Sequence, residues 1–505
     1  MHPVNRPFHR VRPALLCLIL GLLGLGAAQA QWSDDPAVNL LITGAAGEQV
    51  LPIPAITSDG GCYVGWFDQA SGNYDVYLQR LDAQGHAQWA GGGIAVSTEP
   101  QLSSLVTWDL TVDADDNAIL VFSDARAGTD LDIYAYKVSP SGDLLWGTGG
   151  IILSTNNAFE PGAAVTVATD GDLVFAWAYL PDAGDGSIRL QRLTPDGTER
   201  YPHGGIEVLT ETGASPAFTD IVPSLDGSVI VSCVRDISSY YSNRYFKAER
   251  FAVDGSSVWG DAVYIYDAYP LPLGYHPRIQ SDGTGGLVAA FHASEANYHQ
   301  SRFQRIDASG VAIHPHNGIR VTELAGRMHI DPTLAYHPDT GDAYVFWNER
   351  NSAQSQWGIY AQRVSAAGGL EWGVSGLELL PVNSQYKSFP RAVPCEGGAM
   401  VFLSDEPSGT YNEDRLIGMR LDSSGAQMWP GDIVEVATYP SGKSRYPVVV
   451  NDEDMAVLVW EDDRGSSVDL YAQNVNVDGT LGASSASVPA YFPDTHARLL
   501  PNEPN

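Results

Sequence analysis

The chain has 505 residues, with 60 Asp and Glu against 28 Lys and Arg, a formal net charge of −32. So acidic a surface excludes nucleic acid and other polyanions as partners, because phosphate recognition needs a basic face. Four cysteines in a chain of this length exclude a disulfide-built scaffold.

Residues 1–30 read as a secretory signal peptide. Arg6, Arg10 and Arg12 form the charged start, residues 14–25 the apolar run, and Ala28-Gln29-Ala30 the small-residue cleavage site. That run is shorter than a bilayer requires, and no later segment is long and apolar enough to span one. The mature chain is expected outside the cell or at its surface, as a monomer. It would hold three cysteines, Cys62, Cys233 and Cys395, too widely spread to pair.

From residue 38 to 482 the sequence repeats. One landmark closes an apolar run: Trp66, Phe122, Trp177, Cys233, Phe291, Trp347, Phe402 and Trp460, at gaps of 56, 55, 56, 58, 56, 55 and 58 residues. A second is a basic residue before an aliphatic or Phe and then a Gly turn: Arg80, Lys137, Arg192, Arg250, Arg305, Arg363 and Arg420, with Asn474 in the last unit. A third, aromatic-x-x-x-Gly-Ile, follows at Trp89, Trp146 and Tyr201 and recurs with changes at His314 and Trp372. Gly turns joining strand-like runs are hairpin chemistry. Units of four short strands at this period make propeller blades. The prediction is an all-β, eight-bladed β-propeller over residues 31–482, with seven blades as the alternative count. The last unit lacks an edge strand and residues 38–44 supply one, so the two chain ends are expected to meet in the last blade, removing an exposed sheet edge. Residues 483–505 leave the repeat as a Ser/Ala linker and a Pro/Asn-rich tail. The tail resembles the opening of the immunoglobulin-like or sorting domains that follow propellers in secreted bacterial proteins.

The unit resembles secreted bacterial beta-propeller repeats of the pattern DG-GG-apolar-W-D … DIYAQR, most closely at residues 75–80 and 358–363, and is loosely similar to the delta-type sixty-residue repeats. That resemblance implies an extracellular propeller and brings no agreed activity with it.

A feature present in nearly every blade is required by the blade; a feature of one blade is a candidate for function. The basic ring, in seven of eight units, reads as scaffold bonded to turn carbonyls or to acids such as Asp82, Asp307 and Asp422. Asp68, Asp124, Asp236, Glu349, Asp405 and Glu461 open the loops after the second strands. Such a carboxylate ring could take a hard cation with oxygen ligands, calcium being the alternative to none, but Arg126, Arg235, Arg350 and Arg464 stand close enough to neutralise the acids. No cofactor or metal is therefore expected. His314-Pro-His316 is a substituted edge turn lacking a second close pair of ligand spacing.

Blade 4 departs from the pattern. Its loop at residues 237–246 carries Tyr240, Tyr241, Arg244 and Tyr245, and the connection to blade 5 adds Tyr264, Tyr266, Asp267 and Tyr269. Aromatic planes beside a few polar groups suit sugar or peptide recognition, so these eight are the predicted ligand-binding residues. The blade 7 loop, residues 406–415, is the next candidate. No metalloprotease, nucleophile-elbow or phosphate-loop motif is present, and no catalytic residue is predicted. The leading reading is a non-catalytic secreted or surface module that binds carbohydrate or protein. The rivals are a polysaccharide-active hydrolase or lyase, and a purely structural repeat protein.

Overall fold

The computed structural model describes residues 31–483 apart from 100–106, 127–129, 237–243, 273–276, 296–297, 408 and 411. Each landmark run forms the second strand of an antiparallel sheet. In blade 1 the order from the axis outward is Gln49–Ile56, Cys62–Asp68, Asp75–Leu81 and Ile94–Ser97. Seven sheets repeat this order, an eighth is completed from both ends of the chain, and the innermost strand of each sheet packs on the preceding sheet around the ring. Cys62–Asp68 and Ala118–Asp124 are buried at every residue. Neighbouring blades cover both of their faces, which is why they read as continuous apolar runs rather than alternating ones.

Closure follows the expected route, with eight blades. Leu40–Thr43 pairs antiparallel with Asp469–Val475 as the outer strand of blade 8, whose inner strands come from the end of the chain. Trp32, 2 % exposed, completes the junction: its indole donates to the Ala83 carbonyl of blade 1 at 3.0 Å. It lies over Gly85 (φ +82), where an added Cβ would fall 2.7 Å from the indole, so glycine is required there on two counts. The same contact runs round the ring. Trp89 donates to the Pro140 carbonyl, Trp259 to Ala308, Trp372 to Ser423 and Trp429 to Val477, each in the next blade.

Two sequence expectations need correcting. The basic ring bonds acids of the first turn in its own blade rather than Asp82, Asp307 or Asp422: Arg80 with Asp59, Lys137 with Asp113, Arg305 with Asp282 and Arg363 with Asp342, at 2.6–2.9 Å. It also reaches the next blade, as Lys137 does to the Pro195 carbonyl and Arg420 to that of Val477. These residues therefore fasten neighbouring blades as well as single ones. In blade 7 the structural landmark is Leu403, not Phe402. Val401 stands opposite Met419 as Val64 stands opposite Gln79, which puts Leu403 in the place of Trp66. Phe402 faces the opposite way, 6.3 Å from Trp429.

Four innermost strands shift register at the same place, and in three of them the bulge carries a residue of positive φ. Leu51, Asp331 and Phe389 have φ of 55°, 52° and 52°, each at a shift of register and each followed by proline. Proline has no N–H to pair and is tolerated at a bulge. The strained residue is held by its neighbours. Leu51 N–H donates to Glu461 of blade 8 and Asp331 N–H to His292 Nδ1 of blade 5. The Phe389 carbonyl accepts from Tyr446 of blade 8.

Candidate functional site

The acids that end the second strands are braces. Indole N–H groups donate to them within a blade, Trp66 to Asp68, Trp347 to Glu349 and Trp460 to Asp462, at 2.8–3.2 Å. Arg126 pairs with Asp124 and Arg464 with Asp462. Two arginines choose other partners: Arg235 takes Glu211, from the preceding connection, and Arg350 donates to Asn348. Burial works to raise the Asp462 carboxyl, but Arg464, Ser441, Lys443 and Trp460 together hold it below the ordinary value. Glu160, buried and bonded by Ser154, Asn156 and Trp177 without a cation, is shifted upward by burial. Among the described residues, no three His, Cys, Asp or Glu side chains are grouped to hold a metal ion.

Two histidines of blade 5 do meet, and one of blade 6 lies against that blade. His292 and His299 lie 5.4 Å apart ring to ring. His329, fully buried, has Nδ1 3.0 Å from Gln300 Oε1 and Nε2 3.5 Å from Glu349. His292 accepts the Asp331 N–H; burial, with His299 and Arg350 adding to it, pushes its pKa down to about 3. His314 stacks over Gly368 in the place of the edge tryptophans, and His316 pairs with Asp267 at 2.7 Å.

Of the eight predicted ligand-binding residues, the six that are described do not form one cluster. Tyr240 and Tyr241 lie outside the described residues. Arg244 is a buried strut, donating to the Leu271 carbonyl at 3.1 Å with Asp236 at 3.6 Å. Tyr266 is fully buried against Phe291 between blades 4 and 5. Asp267 is taken by His316, and Tyr269 stands alone, 47 % exposed. Tyr245 and Tyr264 do come together. Their rings meet edge to face at 6.0 Å, with the Arg235 guanidinium 5.5 Å from Tyr245 and the Tyr264 hydroxyl 3.4 Å from Glu211.

A groove of about 980 Å³ opens instead along blade 7. Its walls come from the outer strand of blade 6 (Leu377–Asn383), from blade 7 at Asp405, Arg415 and Glu435, and from the closing junction at Asp34, Pro36 and Leu481. Arg415 stands between Asp405 and Glu435, bonded to both, and Gln385 donates to Asp405 at 2.6 Å. Lys387, 3 % exposed, donates to Asn383 Oδ1 at 2.7 Å and to the Gln385 carbonyl. Burial lowers its pKa, Asp405 opposing. Beside this wall the half-buried Trp357 and Tyr386 meet edge to face at 5.1 Å. Trp357 stands opposite Asn383 in the sheet, and Tyr386 follows Gln385. Sequence reasoning reached Arg415 through the blade 7 loop and Asp405 among the acids that follow the second strands, and missed the rest. In register, Gly358 takes the place of Asp75, Asp132 and Asp469, and Trp357 stands one residue earlier, where those blades have Tyr74, Leu131 and Val468, so its residue type gave no signal.

No protein-family model matches the chain, and no curated protein is similar to it. Among solved structures it is similar to an ulvan lyase described as a new family of polysaccharide lyase, at 10% identity and a TM-score of 0.47, over 90% of this chain and 98% of that one. A second polysaccharide lyase gives 10% identity and a TM-score of 0.43, over 89% and 98%. An α-L-arabinofuranosidase of Fusarium graminearum in complex with arabinobiose gives 11% and 0.37, over 63% and 93%. Likeness of this size carries no function over to the chain.

Proposed function

We propose that the protein is a secreted or surface-held propeller that binds carbohydrate along the rim of blade 7. What supports this reading is one juxtaposition: the half-buried Trp357 and Tyr386 rings, next in the sheet and in sequence to Asn383 and Gln385, and a groove lined by amide, guanidinium and carboxylate groups. Sugars present an apolar face of C–H groups and an equator of hydroxyls. Flat rings cover the first at little entropic cost, and fixed donors and acceptors pair with the second. The groove is of the size that takes a short oligosaccharide.

The test is affinity electrophoresis of the mature protein through gels containing soluble polysaccharides, with Trp357→Ala and Tyr386→Ala beside the wild type. Each substitution is expected to weaken retardation about tenfold, roughly 1.4 kcal/mol, with the melting temperature little changed. Retention equal to wild type in both variants refutes the site. A second reading rests on the Tyr245–Tyr264 pair of blade 4, and loss of retardation in Tyr264→Ala alone would move the site there.

A further inference from the structure

The charge of the groove says which sugars it takes. Three acids, Asp34, Asp405 and Glu435, face two cations, Arg415 and Lys387. Neither cation is free. Arg415 bonds both Asp405 and Glu435, and Lys387 is buried with its ammonium on Asn383 and the Gln385 carbonyl. Blades 7 and 8 add to the imbalance, since residues 392–483 carry sixteen Asp and Glu against five Lys and Arg. A carboxylate or sulfate entering here would have to pull Arg415 from two acids and leave those acids unpaired. Like charges brought together at an interface are a strong device of exclusion.

A hydroxyl meets the opposite situation. A carboxylate oxygen can accept from more than one donor, so Asp405 and Glu435 can take sugar O–H groups while keeping Arg415. Asn383 Oδ1 already accepts from Lys387 and from the Gln385 N–H, which commits the amide's acceptor and leaves its protons as donors. The groove thus offers acceptors and neutral donors, but no uncommitted cation.

Resting on the carbohydrate reading above, we propose that this groove is selective for neutral, hydroxyl-rich saccharides and rejects uronate and sulfated ones. The experiment compares retardation of the mature protein in neutral gels (galactomannan, arabinan, xyloglucan) with anionic gels (polygalacturonate, alginate, a sulfated galactan) at 20 and 200 mM NaCl. The expected result is at least tenfold stronger retardation by one or more neutral polymers, insensitive to salt and weakened in Trp357→Ala. Glu435→Gln, which releases one side of Arg415, is expected to shift the ratio of anionic to neutral binding upward at least threefold. Stronger retention by an anionic polymer, abolished by Arg415→Gln, overturns the selectivity and leaves the carbohydrate site standing. An unchanged ratio in Glu435→Gln also overturns it. Failure of every polymer in both sets to retard the protein overturns the carbohydrate reading itself.

Discussion

Replacing His292 by glutamine should flatten the stability of this propeller in mild acid. The ring is 4 % exposed, and its Nδ1 accepts the N–H of Asp331, a residue held at φ 52°. Accepting there requires a neutral ring, and burial, then His299 and Arg350, keep it so until about pH 3, against 6.5 for an exposed histidine. The sign follows from proton uptake. Below pH 6.5 the unfolded chain binds this proton and the folded one does not, so stability is fully present above 6.5 and declines as pH falls toward 3. At 1.36 kcal/mol per unit, the loss between pH 7 and pH 5 is about 2 kcal/mol from this residue alone. His299 and His314, shifted the same way by burial, add to the slope in wild type and variant alike. Glutamine keeps an acceptor for Asp331 and does not titrate. Urea unfolding followed by tryptophan fluorescence at pH 7, 6 and 5 gives both curves, and the wild type is expected to lose about 2 kcal/mol more than His292→Gln. Parallel curves would refute the reasoning, since they would mean that the ring is charged in the fold or open to water.

Trp32→Ala removes the aromatic that fastens blade 8 to blade 1 and should cost about 3–5 kcal/mol by thermal or urea unfolding; a loss below 1 kcal/mol would show that the junction holds without it. Cys62 and Cys233 are fully buried, and burial raises both thiols to about 12, so a thiol reagent at pH 8 should label neither until denaturant is added. Reaction within seconds in the native protein would contradict their placement.

The ring was legible because its repeat obeys a strict physical demand. A strand covered on both faces must be apolar throughout, and a hairpin must turn on glycine, so both signals return once per blade. Phe402 shows where this fails. An aromatic next to the true position mimics the landmark, and the residue actually in register, Leu403, is visible only from its partner strand. The aromatic set of blade 4 shows a different limit: composition cannot tell Tyr266, packed between blades, from Tyr264, left half open beside Glu211. The blade 7 groove was least legible of all. Asn383, Asp405 and Glu435 come from two neighbouring sheets and carry no common spacing, and Asp34 joins their wall only because the ring closes.

That closure rests more on one side chain than on a ladder. The N-terminal strand has three registered pairs with blade 8, broken by a shift between Leu41 and Thr43. At about 1 kcal/mol net per hydrogen bond, such a ladder supplies roughly 3 kcal/mol. A buried tryptophan removes some 200 Å² of surface from water, worth about 5 kcal/mol, and Trp32 is buried between the last blade and the first. The anchor therefore outweighs the hydrogen bonds of that ladder, and Leu40 and Ile42, buried in the same core, supply the rest of the strand's hold. Between them, Pro36 accepts the Thr438 N–H of blade 7 at 2.9 Å, and Asp34 reaches the groove wall. The segment that shuts the ring thus also finishes the proposed binding surface. A saccharide touching that wall would bind the closed ring in preference to the opened one, so that occupancy and closure reinforce each other by mass action.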